Sequence, residues 1–140
     1  MENEIELQEV IAHIQPIKDV ALSHLAFMAN LGAGFSLTLL VDGQVIFGDI
    51  ISGKDYCDEM HKQFANSSGD KNIGEVIGKF FLQLKDSSYV KENSSEIPLN
   101  FIHLKNISYL KGDGGQLHMN GSILRVTLDK VSAFSLGRPE

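Results

Sequence analysis

A chain of 140 residues with 43% hydrophobic and 21% charged side chains has the makings of one folded domain, which excludes wholesale disorder. Its net charge of −6, with twelve scattered basic residues, argues against nucleic acid as a partner, because such binding needs clustered Lys and Arg. The lone Cys57 excludes an internal disulfide, and no apolar run reaches the ~20 residues that cross a bilayer.

In chain order, the acidic start MENEIELQEV lacks the basic region and apolar stretch of a secretory signal, so a soluble, cytoplasmic protein with no membrane partner is expected. Residues 1–15 carry Ile5, Leu7, Val10, Ile11 and Ile14, a partial stripe that reads as a helix, with an extended arm as the alternative. Pro16 separates this N-terminal extension, residues 1–16, from a single domain over 17–140. From Ile17, the positions Val20, Ala21, Leu25, Met28 and Leu31 recur at helical spacing, and Gly32 and Gly34 stop the helix.

Two alternating runs, Phe35–Val41 and Gln44–Ile51, flank Asp42-Gly43 and predict a β-hairpin with a two-residue turn. In that register Leu39 faces Ile46, Leu37 faces Gly48 and Phe35 faces Ile50, giving an apolar face with a glycine gap. Ser36, Thr38 and Asp49 line the wetter face. Ser52, three residues before Asp55, is a candidate N-cap for a helix with Tyr56, Met60 and Phe64 on one stripe, ended by Asn66-Ser67-Ser68-Gly69. A second helix follows, with Ile73, Val76, Ile77, Phe80, Phe81 and Leu84 giving the strongest helical periodicity in the chain. Together they form an inserted helical hairpin over about residues 53–85. Residues 86–98, rich in Ser, Glu and Lys, read as a mobile surface loop.

The remainder reads as three strands, LNFIHLKNISYL, GSILRVTL and KVSAFSLG. In the first, Phe101, His103 and Ile107 share one face and Ile102, Leu104 and Leu110 the other, so cover is needed on both sides. A hairpin centred on Asp113 and Gly114 sets His103 opposite Leu124 and His118 opposite Tyr109. In the second strand Leu124, Val126 and Leu128 face inward, leaving Arg125 on the wetter face as an exposed charge. The expected class is α+β: a small antiparallel five-stranded sheet or barrel with an N-terminal helix and the inserted helical hairpin.

The chemistry on offer is sparse. Cys57 and His61, four apart on a helix, could supply two metal ligands, but zinc needs three or four; a buried or half-buried cysteine beside a surface histidine is the plainer reading. His103 and His118 fall several rungs apart. Gly112-Asp113-Gly114-Gly115 has neither the Lys nor the helix of a phosphate loop and reads as a turn. Ser122 and Ser135 sit in no nucleophile elbow. No catalytic residue, cofactor or metal is assigned.

Two stretches are more specific than any single residue. The LTLLVDGQVIFGDIIS pattern within Phe35–Ser52, followed by a lysine, an acid and Tyr56, resembles the first half of the gas vesicle accessory protein U (GvpU) family. FIHLKN at Phe101–Asn106 and the terminal GSILRVTLDKVSAFSLG are similar to its second half. The resemblance covers most of Asp19–Gly137. The family's penultimate strand has an aromatic, an Arg and a Gly where this chain has Leu124, Arg125 and Val126, so only the Arg is kept. The resemblance implies a non-enzymatic accessory protein that associates with the gas vesicle shell protein and promotes vesicle clustering through self-association. The candidate interaction surface is Phe101, His103, Lys105, Arg125 and Phe134. The strand grammar also looks like an Sm-like small barrel, which makes an Sm-like nucleic-acid-binding module the alternative, against the low basic content. An enzyme or metal protein using Cys57, His61, His103 or His118 is the third reading.

Overall fold

The computed structural model describes residues 19–66, 69 and 71–139, so the expected helix over 1–15 and the boundary at Pro16 lie outside it. Among the described residues the chain forms three α-helices and a six-stranded antiparallel sheet, one strand more than the sequence suggests. Helix α1 (Val20–Asn30) is capped by Asp19, whose carboxylate accepts from the Leu22 amide at 3.0 Å. Its buried residues are Leu22, Ala26 and Ala29, whereas Val20 and Leu31 of the expected stripe are exposed. Small alanines let the helix backbone approach the sheet, a preference that counting large apolar residues misses.

Strands β1 (Ser36–Val41) and β2 (Gln44–Ile51) pair as expected, Leu39 opposite Ile46 and Leu37 opposite Gly48. Asp42 (φ 48°) and Gly43 (φ 83°) both turn in the left-handed region, as a two-residue hairpin of this twist requires. Phe35 closes the pair by accepting from the Ile50 amide at 2.8 Å. The glycine gap is filled by a third strand: a Cβ at Gly48 would lie 3.0 Å from the Leu104 Cβ.

Strand β3 (Phe101–Leu110) pairs with β2 and breaks register at one point. Phe47 opposes Ser108 and Asp49 opposes Lys105, which leaves Asn106 and Ile107 facing the single Gly48. Asn106 takes φ 52°, a conformation that its short polar side chain tolerates. One extra residue reverses the alternation, so Ile107 joins Ile102 and Leu104 in the core instead of sharing a face with His103. Leu110, placed with that core by simple alternation, is exposed.

The expected second strand of the meander is two strands. After a turn in which Lys111 donates to the Gly115 carbonyl at 2.8 Å, β4 (Gln116–Met119) pairs with the end of β3, and β5 (Leu124–Thr127) pairs with its beginning. His118 therefore faces Ser108 and His103 faces Arg125, each one position from the expected register and in opposite directions. The residues between β4 and β5, with Gly121 at φ 79°, absorb the difference. A 3-10 turn (Leu128–Lys130) leads to β6 (Val131–Leu136), which pairs with β1 and completes the order β4-β3-β2-β1-β6, with β5 also on β3.

One core lies between α1 and the sheet and includes Leu22, Leu37, Leu39, Ile50, Ile102, Leu104 and Val126. The other joins Tyr56, Cys57, Tyr89 and Ile97 with Met60, Phe81 and Leu84, so β3 has cover on both sides. Helix α2 (Gly53–Ala65) starts at Ser52, whose hydroxyl accepts from the Asp55 amide at 2.9 Å. Helix α3 (Lys71–Leu84) packs on it through Phe81, which meets Tyr56 and Phe64. Its expected single stripe is divided: Gly74 and Gly78 are buried, Ile77, Phe81 and Leu84 half-buried, and Ile73, Val76 and Phe80 are 60%, 67% and 55% exposed. The segment expected as a surface loop is corrected at two anchors. A π-helical turn (Lys85–Tyr89) extends α3, and Tyr89 and Ile97 are buried in the second core.

Replacing Gly48 by Ala forces a methyl group against the rigid Leu104 Cβ, and a destabilisation of about 1–3 kcal/mol is expected in urea unfolding. In a Leu104→Ala background the same change should cost less than half as much; equal costs in both backgrounds would mean that the two residues do not share this space.

Candidate functional site

Arg125 lies on β5 opposite His103 of β3, on the face turned away from Val126 and Leu128. Strand alternation puts it there, and the helical hairpin then builds walls around it. Its guanidinium carbon sits 3.6 Å from the centroid of the Phe101 ring and 6.0 Å from that of Tyr56. Such stacking holds a cation against an aromatic face and orients its planar fork. Nη1 donates to the Tyr89 hydroxyl at 3.0 Å and lies 3.1 Å from His103 Nε2. Because a guanidinium only donates, Nε2 accepts, and the neutral His103 carries its proton on Nδ1.

His103 is 3% exposed, with the Tyr56 ring centred 4.5 Å away and the Tyr89 ring edge-on at 5.6 Å. Burial, and then the charge of Arg125, push its pKa down to about 3. Burial likewise raises the phenols of Tyr56 and Tyr89 and pushes the Cys57 thiol up to about 11. Gly53 places Tyr89, since any Cβ there would overlap its ring. The result is a fixed cation among neutral groups. Among the described residues no carboxylate comes within ion-pair distance of Arg125. This arrangement suits recognition of an anionic or carbonyl-bearing surface, since His103, Tyr56, Tyr89 and Cys57 all stay neutral near neutral pH.

Of the five residues expected to form an interaction surface, the structure brings together Phe101, His103 and Arg125. Lys105, beyond them on β3, lines a cleft of about 500 Å³ with Asp55, Glu59 and Lys62. Phe134, on β6 opposite Leu39, packs against the first core and does not join the cluster. Arg125 is half-buried and held on three sides, which corrects its reading as an exposed charge. Tyr56 and Tyr89 are the residues that sequence reasoning missed. Tyr56 was visible as a helix stripe residue and as part of the family resemblance but not as a neighbour of Arg125, and Tyr89 lay in a polar stretch with no periodicity.

A second polar cluster forms where Arg138 crosses β2 and β3. It donates to the Asn106 carbonyl and, at 2.9 Å, to Ser108 Oγ, and lies 3.7 Å from Asp49. Burial alone would raise the Asp49 carboxyl; hydrogen bonds from Asn106 and Ser36, with the charges of Arg138 and Lys105, outweigh it and hold the pKa low. Ser108 Oγ lies 2.7 Å from His118 Nδ1, a Ser–His contact that the sequence did not announce. Ser108 is 1% exposed and its oxygen already accepts from Arg138, so this contact joins strands and leaves no free nucleophile. Cys57 is fully buried, and His61, expected at the surface, turns a buried Nδ1 toward Gly78. Among the described residues no group of three or more His, Cys, Asp or Glu could hold a metal ion.

A family model described as gas vesicle protein GvpU-like matches residues 19–139. No curated protein and no solved structure gives a significant match.

The His103 environment has a pH signature. Its folded pKa near 3 lies below the unfolded value near 6.5, so its neutral form contributes stability at neutral pH that is lost as pH falls from about 6.5 toward 3. His103→Gln, which keeps an acceptor for Arg125 but cannot titrate, should flatten the fall in unfolding free energy between pH 6 and 4.5 by up to about 1.4 kcal/mol per pH unit. Parallel slopes for the two proteins would mean that His103 is not held neutral.

Proposed function

The chain belongs to the GvpU-like family of gas vesicle proteins, and on that premise we propose that it is a non-enzymatic, cytoplasmic accessory protein that binds the vesicle shell and clusters vesicles by self-association. The observation that supports a binding role is Arg125. A half-buried cation, stacked on Phe101 and without an ionic partner among the described residues, already has its conformational freedom spent before any partner arrives. Arg and Tyr in such settings are the side chains that dominate protein interfaces. Phe101 and Arg125, held in place from behind by the buried His103 and Tyr89, therefore form the contact for an acidic or carbonyl-rich patch of the shell protein.

Self-association is supported by the sheet order. β6 ends one side of the sheet and β4 with β5 end the other, so each end offers backbone groups to a further strand. Pairing between unlike edges propagates from copy to copy, and many weak shell contacts then act together. A helix before the sheet, the β1–β2 hairpin and the helical insertion that follows it support the reading of an Sm-like strand grammar. The acidic net charge weighs against extending that likeness to nucleic acid. No helix among the described residues is long and apolar enough to cross a membrane.

Purified protein mixed with isolated gas vesicles should float with them and draw them into clusters visible by microscopy. Arg125→Gln should weaken co-flotation about tenfold, a loss of about 1.4 kcal/mol, while urea unfolding shows the variant folded. A wild-type protein that stays in the subnatant overturns the shell-binding reading, and RNA retention in a gel would then favour the nucleic-acid alternative.

A further inference from the structure

Helix α3 carries its apolar residues on two sides, and only one of them is used. Phe81 and Leu84 pack into the second core, while Ile73, Val76 and Phe80, at i, i+3 and i+7, stand on the outside more than half exposed. Positions three, four and seven apart lie along one face of a helix, so these three side chains form a continuous stripe of the kind that receives another helix.

The matching pattern is in the chain itself. Residues 1–18 contain Leu7, Val10, Ile11 and Ile14 at i, i+3, i+4 and i+7, with four acids, Glu2, Glu4, Glu6 and Glu9, against one base, Lys18. The apolar spacing thus matches that of the outer face of α3. Reach is no obstacle. Eighteen residues extend to roughly 60 Å, against a radius of gyration of about 14 Å for a domain of this length. We propose that the N-terminal segment, through Leu7, Val10, Ile11 and Ile14, docks on the Ile73–Val76–Phe80 face of α3. The segment is contributed either by the same copy, which covers the stripe, or by a neighbour, which links copies by arm exchange. The inference stands apart from vesicle binding and goes beyond the edge pairing invoked for self-association.

Cysteine cross-linking in the full chain tests it. Cys57 is fully buried with its thiol pushed up to about 11, so it contributes little background. Ile11→Cys with Val76→Cys should form a disulfide under mild oxidation at least ten times faster than Ile11→Cys with Leu117→Cys, whose second position is an exposed residue of β4. A product of monomer size places the segment on its own α3, and one of dimer size places it on a neighbour's. Adding Val10→Lys and Ile14→Lys should abolish the difference. Equal rates for the two pairs overturn the proposal. So does Val76→Cys alone dimerising as fast as the Ile11–Val76 pair reacts, which would show that a second α3 is the occupant. Val76 is exposed, so its replacement leaves the cores intact, and urea unfolding of each variant confirms that.

Discussion

The fold turns on the close approach of Leu104 to Gly48. A missing side chain on β2 admits the Leu104 Cβ of β3, and the strand can enter that gap only by bending, which the extra residue at Asn106 allows. Everything that keeps the bend in place gathers at the same point. Asp49 accepts from Asn106 at 2.8 Å and from Ser36 at 2.7 Å, and Arg138 reaches over to the Asn106 carbonyl. An unfavourable backbone conformation is thus held by three polar partners, while the apolar gain lies beneath it, where Ile107 has been turned into the core.

Much of this architecture is written in local patterns. The β1–β2 hairpin follows from alternation and an Asp-Gly turn, and the Ser52 cap from a hydroxyl three residues before an acid. Features that escaped depend on contacts between distant segments. Asn106, a residue disfavoured in strands and tolerant of positive φ, was the one local hint of a bulge, and a single inserted residue reverses the face of every residue after it. The division of α3 escaped because periodicity records where apolar side chains fall and not which side has glycines small enough to meet another helix. Tyr89 was hidden among Ser, Lys and Glu, yet it supplies the hydroxyl to which Arg125 donates.

The candidate site was legible in part for the same reason. Register placed Arg125 near His103 to within one residue, and the family resemblance kept the Arg when its neighbours differed. What sequence could not supply was the helical hairpin folding back to bring Tyr56 and Tyr89 against the strand, which turns an apparently exposed charge into a half-buried one. Burial also explains the quiet chemistry of the cluster. Desolvation keeps His103, Tyr56, Tyr89 and Cys57 neutral, so Arg125 presents a positive charge whose strength scarcely changes around neutral pH.

The pairing of β6 with β1 also bears on how the protein is made. Thr38 and Gly137, hydrogen-bonded at 2.9 Å, are 99 positions apart in sequence. At a ribosomal pace of about 5–20 residues per second, the outer edge of β1 waits roughly 5–20 s for its partner strand to be synthesised. Throughout that interval the nascent chain presents an unsatisfied strand edge, open to chaperones and to other nascent chains on the same messenger. The β1 edge is thus the last part of the sheet to be covered, and its protection rests on residues made at the very end of synthesis.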